Sequence, residues 1–337
     1  MTFNKESLSI LQDQFNEVHN IVIVAHKSPD GDSVGSSLAL LQYLTQKGFN
    51  VSVCHPDPLP YFLNWLPRVD EIINYIEHPD EVKQNIERAH LIFCLDFNSL
   101  HRLGADMSTL VKDSSAFTVM IDHHLDPSNE FDLIFSETSS CSTAQLIYDF
   151  IVANGDFSLI DPPLGEAIYC GIMTDSGSFR FPSTTAHTHE VIAQLLHQGV
   201  DHAKIHESIY DTNSLSRLKL RGYATNEKLD ILDEYSTAII SLTDEELFAY
   251  NYQPGDAEGI VNVGLSIIGI NKSIFLKESN GVIKISFRSK GSNNPINTLA
   301  AKYFGGGGHA NAAGGVWEGS MNEAIERLKN ALPEFCA

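Results

Sequence analysis

The sequence predicts an α/β protein, with an N-terminal, mostly parallel sheet covered by helices on both faces and a smaller C-terminal α/β domain across a cleft. Three observations carry this. The apolar runs "IVIVA" (21–25), "VSVC" (51–54), "LIFCLD" (91–96) and "FTVMID" (117–122) are continuous, as in strands buried on both faces. Amphipathic stretches of helical spacing separate them, the pattern of βαβ units. From about residue 235 the texture changes, and 337 residues exceed the usual size of one domain.

Each element has its own local reason. "SVGSSLALLQYLTQKG" (33–48) predicts a helix, with Asp32 or Ser33 near its N-cap and Gly48 past its end. Residues 141–210 read as mostly helical, in three segments marked off by turn signals. "SLSRLKLRGYATNEKLDIL" (214–232) is charged and helical in pattern. The expected organisation is therefore an N-terminal domain over 1–212, a helical connector over 213–232 and a C-terminal domain over 233–337. Within the last, "YSTAIISL" reads as a strand and "AEGIVNVGLSIIGI" as a helix. "SIFLKESNGVIKISFRSK" reads as a hairpin, because Asn280-Gly281 favours a tight turn. "PINTLAAKYF" reads as a helix, the glycine-rich "GGGGHANAAGG" follows it, and "NEAIERLKNAL" closes the chain as a helix.

Composition excludes several classes. A net charge of −21 disfavours long duplex nucleic acid, which needs a basic face. It is compatible with a short phosphorylated substrate held by cations. No window approaches the roughly 20 apolar residues of a membrane span. "MTFNKESLSI" lacks the basic start and apolar core of a signal peptide, so the expected location is the cytoplasm, with no membrane partner. Cys54, Cys94, Cys141, Cys170 and Cys336 are scattered and form no C-x-x-C, which argues against a disulfide framework or a zinc ribbon.

The chemistry gathers where apolar strands end, the edge at which parallel sheets build sites. "IVIVA" runs into His26, Asp30 and Asp32, "LIFCL" into Asp96, and "TVMI" into Asp122, His123 and His124. Asp175 stands in "MTDSGSFRF". Taken singly, Asp30 is a turn residue and Asp32 a helix cap. Together these acids would repel one another at one sheet edge unless cations sat among them. Carboxylates with imidazoles and no thiolate suit manganese or a similar divalent ion. The number of donors suits two ions, roughly 3.5–4 Å apart, a pair that generates a hydroxide near neutral pH and stabilises phosphoryl oxygens.

These residues resemble the DHH phosphoesterase family, named for the triplet that here is Asp122-His123-His124. "HKSPDGD", "CLDFNSLHRLG", "IDHH" and "TDSGSFRF" stand in the family's order, and "GGGGHANAAGG" resembles the motif of the DHH-associated C-terminal domain. The resemblance implies one ion held by His26, Asp30 and Asp96. It implies a second held by Asp32, Asp96, His123 and Asp175, with Asp96 bridging. His124 would face the substrate, and Asp122 would orient a histidine. One departure is Gln145 in "SSCSTAQLIYD", where the family pattern has an acidic residue.

In the second domain, consecutive glycines could form an anion-binding concavity. Residues 270–315 hold six cations against one acid, Glu278, a local charge of +5 in an acidic chain. By resemblance, Arg288, Ser289, Gly306, Gly307, Gly308 and His309 bind the nucleotide, with Arg180 a further phosphate contact. The implied enzyme is a manganese-dependent phosphoesterase, Mg2+ or Co2+ being alternatives. It would act as a monomer or homodimer on short single-stranded RNA, releasing mononucleotides, and on pAp, releasing AMP. The alternatives are a linear or cyclic dinucleotide phosphodiesterase, an exopolyphosphatase or pyrophosphatase, and a non-catalytic nucleotide-binding module.

Overall fold

The computed structural model describes residues 3–16, 18–291 and 295–335, with the His309 side chain outside that description. The chain divides into two compact units, Met1–Thr212 and Asn213–Ala337.

The first unit is built on a six-stranded sheet. Its strands are β1 (Asn20–Ala25), β2 (Asn50–His55), β3 (Ile72–Asn74), β4 (Leu91–Leu95), β5 (Phe117–Asp122) and β6 (Leu133–Ser136). They lie in the order β3-β2-β1-β4-β5-β6, and every pairing is parallel. The two edge strands, β3 and β6, are too short to announce themselves by periodicity. The chain winds outward from β1 to β3, then crosses back to β4 and winds the other way. Order therefore reverses between β1 and β4, the position at which open α/β sheets form a crevice.

Among the described residues, eight α-helices accompany these strands: α1 (Lys5–Phe15), α2 (Gly31–Gln46), α3 (Pro79–Arg88), α4 (Ala105–Asp113), α5 (Thr143–Ala153), α6 (Pro162–Asp175), α7 (Ala186–His197) and α8 (His202–Tyr210). Alternate strand residues face opposite sides. Ile21, Ile23, Phe93, Val119 and Ile121 pack with α2, α5 and α6 on one face. Val22, Val24, Ile92, Cys94 and Met120 pack with Val82 and Ile86 of α3 and Met107 and Val111 of α4 on the other. This two-sided burial is why the strands read as unbroken apolar runs.

Helix α2 starts earlier than its sequence pattern suggests. Asp30, not Asp32 or Ser33, is the N-cap, and its side chain accepts from the N–H groups of Asp32 and Ser33. The helix is buried without a break from Gly31 to Leu44, because α5 and α6 close over it. Glycines make that approach possible. A Cβ on Gly35 would stand 2.5 Å from the Ala167 carbonyl oxygen. One on Gly171 would stand 2.4 Å from Ala144 Cβ and 2.8 Å from Asp32 Oδ1.

The second unit carries a mixed six-stranded sheet in the order β11-β12-β10-β9-β8-β7. Its strands are β7 (Leu229–Leu232), β8 (Thr237–Leu242), β9 (Lys272–Ser279), β10 (Val282–Ser289), β11 (Gly307–His309) and β12 (Ala312–Trp317). Only β8 and β9 pair in parallel. The helices are α9 (Leu215–Asn226), α10 (Asp244–Ala249), α11 (Ile260–Leu265), α12 (Asn297–Phe304) and α13 (Met321–Ala331). The segment 213–232 thus supplies α9 and the edge strand β7 of this unit. In the β9–β10 hairpin, Asn280 (φ 53°) and Gly281 (φ 80°) are both left-handed, as its two-residue turn requires. The glycine-rich segment is a helix end followed by a strand pair. Gly305 ends α12 in a left-handed conformation (φ 56°), and β11 and β12 then form a tight hairpin.

The glycine packing gives a direct test. Gly171→Ala should lower the urea-unfolding stability of the full chain by about 1–3 kcal/mol, as overpacking a core does. Gly222→Ala, in α9 with no atom near the added methyl, should be neutral or gain up to about 1 kcal/mol. A Gly171→Ala variant as stable as wild type would refute the close-approach account.

Candidate metal centre

The candidate residues converge at the carboxyl edge of the first sheet. His26 follows β1 directly, Asp30 and Asp32 sit at the start of α2, and Asp96 follows β4. Asp122 ends β5, His123 and His124 come next, and Asp175 is the last residue of α6. They form donor groups whose atoms lie within 4.8 Å of one another: His26, Asp30 and Asp96; Asp32, His123 and Asp175; and Asp96, His123 and His124.

Asp96 joins the groups, and its two oxygens divide between them. Oδ2 lies 3.3 Å from His26 Nε2. Oδ1 lies 3.5 Å from His123 Nε2. His26 Nε2 is also 3.7 Å from Asp30 Oδ2, and His123 Nε2 is 3.5 Å from Asp175 Oδ2 and 3.9 Å from Asp32 Oδ2. Asp96 has φ of 63°, a conformation that costs a non-glycine residue energy. Its N–H donates to the Ile121 carbonyl at 3.2 Å, which ties the strained turn to β5.

Hydrogen bonds fix the imidazoles. His26 Nδ1 lies 2.9 Å from the Lys27 carbonyl, and His123 Nδ1 lies 3.3 Å from the Ser140 carbonyl. A carbonyl can only accept, so both rings donate from Nδ1 and turn Nε2 towards the carboxylates. This is how metal-binding histidines are oriented. His124 Nδ1 meets Asp122 Oδ1 at 2.7 Å. Asp122 is fully buried, and among the described residues its Oδ2 has no hydrogen-bond partner.

The start of α5 is a support that the sequence hides. The Thr143 N–H donates to Asp32 Oδ2 at 2.7 Å, and the Ala144 N–H to Asp32 Oδ1 at 2.9 Å. The Thr143 hydroxyl donates to Asp96 Oδ1 at 3.0 Å. Gln145 Nε2 donates to Ser140 Oγ at 3.3 Å, behind the carbonyl that holds His123. Gln145 stands out in the sequence as a departure. Thr143 looks like any residue after an N-cap serine, and only the tertiary contact reveals it.

The electrostatics fit a cation. Asp32, Asp96, His26 and His123 are buried. Burial, then Asp96, push the Asp32 carboxyl well above its ordinary range. Burial pushes Asp175 up to about 6, against the pull of His123. Burial also opposes charge on Asp96, but hydrogen bonds from His123 and His26 outweigh it and hold that carboxyl well below its ordinary range. Burial disfavours the imidazolium of His26, yet Asp30 and Asp96 raise it to about 9. Protons thus balance the crowded acids here. Hard oxygen donors with imidazole nitrogens are the set that divalent ions take up in their place.

The other candidates are placed as follows. Arg180 is exposed and comes after three left-handed residues, Gly177 (φ 59°), Ser178 (φ 59°) and Phe179 (φ 64°). Its Nε donates to the Gly177 carbonyl at 2.6 Å. Arg288 and Ser289 are successive in β10, so their side chains take opposite faces. Arg288 Nη1 donates to the Phe287 carbonyl at 3.0 Å. Ser289 Oγ donates to Asn311 Oδ1 at 2.9 Å, and the Ser289 N–H to the Asn311 carbonyl at 3.0 Å, which ties Ser289 to the β11–β12 turn. A Cβ on Gly306 would collide with the Gly314 carbonyl, and one on Gly308 (φ 137°) with the Ala312 carbonyl. These two glycines serve hairpin closure, whereas among the described residues nothing lies within 4 Å of a Cβ on Gly307. The side chain of His309 lies outside the described residues.

Comparison with known proteins places the chain in a family. Residues 20–172 match the sequence profile of the DHH family, N-terminal domain, and residues 238–337 match that of the DHHA1 domain. A solved structure of an exopolyphosphatase-related protein from Bacteroides fragilis is 39% identical, with a TM-score of 0.93 over 98% of this chain and 97% of that one. The bifunctional oligoribonuclease and PAP phosphatase of Bacillus subtilis (strain 168) is 29% identical over 87% of this chain and 88% of its own length. The cyclic-di-AMP phosphodiesterase of the same organism is 25% identical over 96% of this chain but 49% of its own. The chain belongs to the DHH family, with a DHHA1 domain following its N-terminal unit.

Proposed function

We propose that the chain hydrolyses short oligoribonucleotides to mononucleotides, and pAp to AMP, as a cytoplasmic phosphoesterase using two divalent ions, manganese foremost. The observation that carries this reading is Asp96, whose two carboxylate oxygens face two different donor groups. The full-length likeness to the B. subtilis oligoribonuclease and PAP phosphatase supports the substrate class. No helix among the described residues is long and apolar enough to cross a membrane.

In this reading His26, Asp30 and Asp96 hold one ion, and Asp32, His123 and Asp175 hold the other, with Asp96 shared. Two such ions supply a nucleophile near neutral pH and charge stabilisation at phosphorus. The chain's own residues do the rest. The hydrogen bond from His124 Nδ1 to Asp122 orients the ring, and a second proton on Nε2 is the one His124 would pass to a leaving oxygen, returning to the neutral ring with its Nδ1–H still on Asp122. Thr143 and Ala144 hold Asp32, and Thr143 holds Asp96, so that both are in place before substrate arrives. Arg180, Arg288, Ser289, Gly306, Gly307, Gly308 and His309 are the proposed nucleotide-binding residues. Likeness over 96% of the chain to a cyclic-di-AMP phosphodiesterase favours a second reading, cleavage of pApA or cyclic di-AMP by the same residues.

Three outcomes check this. With Mn2+, a 5′-phosphorylated RNA dinucleotide, a five-nucleotide RNA and pAp should be cleaved, while a 24-nucleotide RNA is spared. The double variant Asp122→Ala, His123→Ala should abolish all cleavage. Activity confined to cyclic di-AMP or pyrophosphate would overturn the substrate assignment. Calorimetric titration of metal-depleted protein should find two Mn2+ sites in wild type and a single intact site in His26→Gln. Unaltered two-site binding in His26→Gln would remove it from the ligand set. Thr143→Val should weaken Mn2+ binding about 10–100-fold, the usual effect of losing a residue that orients a ligand, and Thr143→Ser should restore it. Wild-type affinity in Thr143→Val would make the contact incidental.

A further inference from the structure

Two aromatic rings, Phe179 and Phe181, follow closely after the candidate ligand Asp175. A strained turn places them. Gly177, Ser178 and Phe179 are left-handed in succession, which costs Ser178 and Phe179 energy. The turn is tied back to the end of α6. The Ser178 N–H donates to the Met173 carbonyl at 2.7 Å, and the Arg180 and Phe181 N–H groups both donate to the Ser176 carbonyl at 3.0 Å. The buried Ser176 Oγ accepts from the Phe179 N–H at 3.0 Å. These bonds fix where the two rings go.

The surroundings of the rings differ. Phe179 packs among other rings, with centroids 5.9 Å from Tyr169, 5.9 Å from His189 and 6.5 Å from His206. Packing accounts for it. Phe181 lies instead on the bare backbone of Gly177, where an added Cβ would stand 2.5 Å from its ring. It keeps 40% exposure. Tyr210, the last residue of α8, is 43% exposed. Its hydroxyl bonds the Ser178 side chain and lies in the field of Arg180. Phe181 and Tyr210 thus flank one turn, which begins two residues after Asp175, and Arg180 leaves from the same turn. Exposed flat rings with a cation beside them suit the bases of a single strand, since every base offers a π-face whatever its identity. A duplex, whose bases are already stacked on one another, has no use for them.

We infer that Phe181 is a stacking platform for a nucleobase of the substrate, with Tyr210 as the neighbouring ring. The inference rests on the function proposed above and assigns one part of the substrate, the base, to the first unit. Stacking needs a flat face and not merely an apolar one. As a cover for Gly177, a leucine would serve as well as Phe181.

The test compares wild type, Phe181→Ala, Phe181→Leu and Phe181→Trp as full-length, Mn2+-loaded proteins. The substrates are a 5′-phosphorylated RNA dinucleotide and the same molecule with both bases removed. Phe181→Ala should raise KM for the dinucleotide about tenfold or more, the effect of losing one stacked base, with kcat near that of wild type. The ratio of kcat/KM for the dinucleotide to that for the base-free molecule should fall by the same factor. Phe181→Trp should restore KM, and Phe181→Leu should not. A dinucleotide carrying 2-aminopurine should lose fluorescence on binding wild type and lose less on binding Phe181→Ala. An unchanged KM in Phe181→Ala would overturn the platform. So would an equal loss on the two molecules, a wild-type KM in Phe181→Leu, or a Phe181→Ala protein that binds one Mn2+ fewer by calorimetry, since each makes the ring a cover for the turn. A wild type that quenches 2-aminopurine through Phe181 yet cleaves no RNA would overturn the proposed function and leave the platform standing.

Discussion

The repulsion among buried carboxylates at one sheet edge is the constraint on which the first unit depends. Asp32 and Asp96 are almost inaccessible, and Asp30 and Asp175 stand within reach of the same imidazoles. Nothing in a hydrophobic core favours that grouping. It persists because the framework over-determines it. Reversal of strand order at β1 and β4 delivers two acidic loops side by side, and β5 delivers the histidine pair beside them. Helix α5 then clamps Asp32 with two N–H groups and Asp96 with a hydroxyl. The left-handed turn at Asp96 is the strained point, placed where its two oxygens serve two donor groups.

The packing and the chemistry share residues. Gly171 leaves room for Ala144 and for the Asp32 carboxylate at once, so the glycine that lets α6 approach α2 also leaves a candidate ligand undisturbed. Asp30 caps α2 with one oxygen while the other lies near His26. Its reading as a cap and its reading as a ligand therefore do not compete. A residue can be both, one oxygen for each.

Much of this was legible in the sequence, for identifiable reasons. Unbroken apolar runs declared the buried parallel strands, and the acids that followed them declared the edge where chemistry collects. Short edge strands such as Ile72–Asn74 left no periodic trace. The glycine-rich segment stood out in the sequence, but not its local structure: Gly306 and Gly308 are demanded by backbone packed against backbone in a hairpin. Thr143 was illegible because it matters through a partner far away in sequence, Asp96. Arg288 and Ser289 read as one motif, yet the two-residue period of a strand sends them to opposite faces.

Asp96 as a bridge between two cations is the claim from which the rest follows. Crystals grown with Mn2+ and measured at the manganese absorption edge test it directly. Two anomalous peaks about 3.5–4 Å apart, one against each oxygen of Asp96, are the expected result. A single peak, or two peaks of which neither touches Asp96, would contradict it.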